Sequence, residues 1–146
     1  MMKTRYTLLV LVLSLSMVMA FGTVEAAPEP ITMNDNDMMV GLDRPTVGWA
    51  TTNDAGEITG YRGVNLGLGY SEKRYFNSLT MEEFNTYWGF GTTALILPYI
   101  EVGGDYPFAR RDDGSFFSVG GAISANVYWE EPYVVPIPRL SLSYHF

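Results

Sequence analysis

Arg139-Leu140-Ser141-Leu142-Ser143-Tyr144-His145-Phe146 is the stretch whose reading decides the fold. Side chains alternate sides along an extended strand. Leu140, Leu142, Tyr144 and Phe146 therefore share one face, and Arg139, Ser141, Ser143 and His145 share the other. A helical period would mix the two sets. The segment is a ribbon with one greasy face and one wet face.

The same period recurs upstream. Phe117, Val119, Ile123, Val127 and Trp129 fall together with Gly121 and Ala125, opposite Ser118, Gly120, Ala122, Ser124, Asn126 and Tyr128. No charge interrupts residues 117–129. At roughly 3.3 Å per residue such a strand is about 40 Å long, and a tilt of around 40° reduces its height to about 30 Å. Soluble strands are usually nearer 5–6 residues. Ile58 to Ser71, Asn85 to Leu97 and Tyr99 to Phe108 also read as strands, and Met38 to Asn53 supplies one or two more. Turn chemistry separates them at Asp54-Ala55-Gly56, Pro98, Arg110–Gly114 and Glu130-Glu131-Pro132. Ser78 to Phe84 is the one helical candidate after the amino-terminal segment. Strand and turn repeating without a helical crossover predict an antiparallel sheet. The expected fold is all-β, a small antiparallel up-and-down barrel of about eight strands, six of them plain in the sequence.

The carboxy-terminal stretch resembles the closing strand of bacterial outer-membrane β-barrels, in which a terminal Phe after alternating apolar residues is the assembly signal. That resemblance rests on Arg139–Phe146 and is to a class of proteins. It implies an outer-membrane location, with lipid and the barrel-assembly machinery as partners. Phe117, Val119, Ile123, Val127, Trp129, Leu140, Leu142, Tyr144 and Phe146 would then be the membrane-facing and girdle residues. Glu101 and Asp105 share the small-residue face and would form a polar cluster in the lumen with arginines. Arg62 falls on the Val64 face, near the expected strand end, from which it could snorkel to the interface.

The amino terminus fits that destination. Lys3 and Arg5 precede an apolar run from Tyr6 to Phe21, and Val24-Glu25-Ala26 places small residues at the positions a signal peptidase reads. Residues 1–26 are expected to be a cleaved signal, 27–37 an extended lead-in, and 38–146 the barrel. Removing Lys3, Arg5 and Glu25 from nine basic and sixteen acidic residues leaves seven and fifteen, a net charge of −8. Such a chain makes a poor nucleic-acid binder, because neutralising phosphates needs clustered Lys and Arg. It holds no cysteine, so neither disulfides nor a lipidated cysteine enter the account.

Chemistry-bearing patterns are sparse. His145 is the only histidine and shares a face with Ser143, but a hydrolytic triad also needs a positioned carboxylate. Asn34-Asp35-Asn36-Asp37 starts like a calcium loop, yet Val40 and Thr46 stand where glycine and glutamate are required. Gly67-Leu68-Gly69 and Gly89-Phe90-Gly91 lack the remainder of a phosphate-binding fingerprint. No catalytic, cofactor-binding or metal-binding residue is assigned, and no enzyme activity is expected. The expected role is structural, adhesive or surface-interacting, without a wide pore, and carried by loops such as Glu72–Phe84. Fewer than eight strands would require closure by homo-oligomerisation. The rival reading is a soluble periplasmic or secreted barrel or sandwich that binds a small apolar ligand or a glycan. Its apolar faces would point inward, and Trp49, Trp88 and Trp129 would be core or stacking residues.

Overall fold

The computed structural model describes residues 28–33, 37–66, 68–126 and 136–146. Eight strands close into one antiparallel barrel in sequence order: β1 (Met38–Gly41), β2 (Val47–Thr52), β3 (Ile58–Asn65), β4 (Gly69–Tyr75), β5 (Asn85–Thr93), β6 (Leu97–Phe108), β7 (Phe116–Asn126) and β8 (Pro136–His145). The seam joins β1 to β8, and Met38 and Phe146 exchange two backbone hydrogen bonds there, at 2.9 and 3.0 Å. One lap of pairing starts at Phe116 and passes through His145, Met39, Gly48, Gly63, Ser71, Gly91 and Tyr99. It returns to β7 at Asn126, ten residues further along. With roughly 3.3 Å of rise per residue and ~4.8 Å between strands, that stagger tilts the strands by about 40°.

The structure corrects several expected boundaries. Ile58 to Ser71 is two strands, because the chain reverses between Asn65 and Gly69, with Leu68 in the left-handed region at φ 63°. Alternation continues in phase across this short turn, so the reversal leaves no mark in the hydrophobic pattern. This split, with two strands from Met38 to Asn53, completes the eight. Strand β4 also takes residues 72–75 from the expected connection at Glu72–Phe84. Asn85 to Leu97 ends early, at Thr93, and turns through Ala94 and Leu95, both at positive φ. Pro98 lies inside β6 opposite Thr92 rather than at the turn. Ser78 to Phe84 forms no helix; its residues are turns and a bridge partner. The expected turn at Glu130-Glu131-Pro132 lies outside the described residues.

The two ends of the barrel differ. Connections 53–57, 76–84 and 109–115 lie at the end that carries Phe146, with the lead-in. Pro30 bridges Thr80, Thr32 bridges Glu57, and Ile31 donates to the Leu79 carbonyl at 2.7 Å. Ile31 and Leu79 are buried, and they cap this end in one apolar cluster with Met39, Ile58, Tyr61 and Phe116. The opposite end carries the β1–β2, β3–β4 and β5–β6 connections, with residues 42–46, Leu66 and Leu68, and residues 94–96. Large apolar residues are exposed on three of its turns: Leu42, Leu66, Leu68, Leu95 and Ile96.

Candidate functional site

The alternation seen in the sequence becomes an inside and an outside once the sheet closes. Val119, Leu142 and Leu140 face out, with Leu140 88% exposed. Phe146 is exposed beside them, and Phe117, Ile123 and Tyr144 are half-buried on the same outer face. Val127 and Trp129 lie outside the described residues. Val64, Ile100 and Val102 extend this exterior around the barrel, and Trp49 and Trp88 are on it too. Phe108, Phe117, Tyr144 and Phe146 run as a chain of ring contacts at the carboxy-terminal end, with successive centroids 4.8–6.2 Å apart.

The interior is polar. Seen from that face, β4 alternates Gly69, Ser71, Lys73 and Tyr75 inward with Tyr70, Glu72 and Arg74 outward. Lys73 is 1% exposed and pairs with both Asp43 and Asp105, the latter at 2.8 Å. The Tyr75 hydroxyl donates to Asp105 at 2.7 Å, and the Lys73 ammonium sits 4.2 Å from the Tyr87 ring centre. An ammonium held by two carboxylates and an aromatic face has its charge met from three sides, which burial requires. Glu101 and Asp105 are both buried in the interior. Glu101 accepts from Arg139 at 2.9 Å, but Asp105 is held by a lysine and a tyrosine rather than an arginine. The two acids thus belong to separate pairs.

Two members of the cluster lie outside the expected strands. Asp43 sits in the β1–β2 turn, which folds into the lumen instead of away from it. Lys73 falls within the expected Glu72–Phe84 connection, and its alternation with Ser71 and Tyr75 is the signal that places it on the inner face of a strand. The Lys73 cluster and the Tyr61 and Tyr87 rings are all buried in the interior.

His145 is buried with both ring nitrogens engaged, by the Ser118 hydroxyl at 2.8 Å and the Tyr61 hydroxyl at 2.9 Å. Its ring stacks on Phe116 with centroids 4.3 Å apart. Ser143, the partner suggested by the sequence, is not bonded to it. A phenol occupies the nitrogen that a triad gives to a carboxylate. The Asn34-Asp35-Asn36 stretch lies outside the described residues.

The exterior also carries charge. Arg62 occupies the middle of β3, not its end, next to Glu72 and Trp49 across the ladder. Arg74 pairs with Glu72 and lies over the Trp88 ring. A cavity of about 290 Å³ opens at the end opposite Phe146, lined by Leu42, Asp43, Arg44, Thr46, Asn65, Leu66 and Arg139. Compared with protein-family models, curated proteins and solved structures, the chain matches none of them.

Proposed function

We propose that this chain is a small integral outer-membrane β-barrel with a structural or surface-interaction role and a closed lumen. The observation that carries the reading is the inverted distribution of polarity. Asp43, Lys73, Glu101, Asp105, several serines and His145 are packed inside, while valine, leucine and isoleucine side chains are exposed on the outer wall. In water, exposing a contiguous apolar wall is unfavourable; in hydrocarbon it is the required arrangement. Closure of the ladder also satisfies the strand backbone, the condition for crossing a membrane with strands. Strand β6, at twelve residues, rises about 28 Å at a tilt of about 40°, which spans an apolar band of roughly 25 Å.

The soluble reading is favoured by a different observation. Strands β1 to β4 are short, and Arg62, Glu72 and Arg74 face outward among them. The connections at the Phe146 end, which outer-membrane barrels turn to the periplasm and keep short, include 76–84 and 109–115. In that reading the greasy wall of β6 to β8 would be covered by another polypeptide rather than by lipid.

Cell fractionation after expression from the full chain separates the two. The membrane reading expects recovery in the outer-membrane fraction, extraction only with detergent, and faster gel migration of the unheated sample than of the heated one. Recovery in the detergent-free periplasmic fraction would refute it.

A further inference from the structure

We propose that the cavity opposite Phe146 is an oxyanion-binding site built on Arg44 and Arg139. Its other polar walls are already satisfied. The Asp43 carboxylate is taken by Lys73 and the Arg44 backbone amide. Thr46 donates to the Asp43 carbonyl at 3.1 Å and accepts from the Leu66 amide at 3.0 Å. Asn65 donates to the Thr92 carbonyl and accepts from Ser71. The two guanidiniums are the groups with donors to spare. Arg139 spends Nη1 on Glu101. Among the described residues Arg44 has no carboxylate partner: its guanidinium lies 4.3 Å from the centre of the Tyr99 ring, and Nη1 is buried without a hydrogen bond.

A buried, unpaired guanidinium donor carries an uncompensated desolvation cost. An anion in the cavity supplies the opposing charge that the Arg44 guanidinium lacks. The planar fork of arginine suits two oxygens of one carboxylate or phosphate group. The volume, about 290 Å³, is at the lower limit for small-ligand sites, roughly 300 Å³. A group of headgroup size fits that description better than an extended ligand. Leu42 and Leu66 line the same cavity and remain exposed, and Leu68 stands exposed beyond them on the same turn. This rim would carry the chain of an amphiphile, so a phosphate or carboxylate on a lipid and the same group on a free solute are both recognised by the arginines. The rim distinguishes the two in affinity.

Calorimetric titration of the purified full-length protein at low ionic strength tests this. The probes are inorganic phosphate, dodecyl phosphate and dodecyltrimethylammonium. Saturable binding of a phosphate-bearing probe, with no saturable binding of the cation, is expected. Dodecyl phosphate binding more tightly than inorganic phosphate identifies a lipid source, and equal affinity a free solute. Arg44→Gln should weaken binding at least tenfold, whereas Arg110→Gln, in the hairpin loop at the other end, should leave it unchanged. No saturable binding of either phosphate probe overturns the proposal, as does equal affinity in Arg44→Gln. If Arg44→Gln fails to reach the compact, heat-sensitive form, the wild-type titrations decide. The cavity belongs to the barrel whether lipid or water surrounds it. A protein recovered soluble can be titrated in plain buffer, so failure of the membrane reading and failure of the site are separate results.

Discussion

Lys73 shows how much one residue can control here. It faces Asp43 and Asp105, 30 and 32 positions away in the chain, from the inner surface of β4. Replacing it with methionine leaves two buried carboxylates facing each other with no cation between them. Removing one partner of a buried ionic cluster typically costs about 3–5 kcal/mol. Lys73→Met should lower stability by that amount in urea unfolding followed by tryptophan fluorescence. Adding Asp43→Asn and Asp105→Asn should restore most of the loss, because neutral amides no longer need the ammonium. An unchanged midpoint for Lys73→Met would mean that water reaches the cluster. Gly63 is a second sensitive residue: a Cβ there would meet the backbone of Val47 and Gly48 on the neighbouring strand. Gly63→Ala must push β2 and β3 apart, and overpacking of this kind costs typically 1–3 kcal/mol.

At the scale of elements, β8 offers a sharper test of the outer wall than β7. Leu140 is among the most exposed apolar side chains, so in water Leu140→Arg should change stability by no more than about 0.5 kcal/mol. On a lipid-facing wall near mid-bilayer the same change should cost about 2–4 kcal/mol and impair assembly. Urea titration of the folded variant and its yield in the membrane fraction read the difference. The β2–β3 and β4–β5 connections are tied to each other by Glu57, which accepts from Ser78 at 2.6 Å and Asn53 at 2.7 Å. These hydrogen bonds hold the Glu57 carboxyl below its ordinary range, that from Ser78 most strongly. A lowered folded-state pKa means the tie is complete above the ordinary glutamate range and is lost as pH falls through the lowered value. Limited proteolysis within residues 76–84 should therefore accelerate at acid pH, and Glu57→Gln should flatten that dependence. An identical pH profile in Glu57→Gln would remove Glu57 from the account.

At the scale of the whole molecule, closure is the decisive event, and Phe146 stands at its seam. Deleting Phe146 would remove two backbone hydrogen bonds to Met38 as well as a side chain, so it confounds closure with recognition. Phe146→Ala keeps the backbone bonds and removes the ring that stacks on Tyr144 at 5.6 Å. If the terminal aromatic is an assembly signal, Phe146→Ala should reduce the outer-membrane yield severalfold while the barrel that does form keeps its heat-sensitive migration. Equal yields for wild type and variant would assign the ring a packing role only.

The two-residue alternation of Arg139–Phe146 and Phe117–Asn126 was enough to fix strands, antiparallel pairing and the partition of residues into two faces, because each depends on local backbone geometry. The reversal between Asn65 and Gly69 is invisible in the hydrophobic pattern, because a short turn that keeps the alternation in phase looks like continuous strand. Glu101 and Asp105 could be assigned to one face and to arginine partners in general, but not to particular residues: Lys73 reaches Asp105, and Arg139 reaches Glu101, only across a closed sheet. Which face becomes the interior is likewise a property of the cylinder, since a ribbon with one greasy side can curl either way. Tertiary closure put Ser71, Ser118, Tyr61, Tyr87 and the Lys73 charge cluster inside, and left Leu140, Leu142 and Val119 to meet whatever surrounds the barrel.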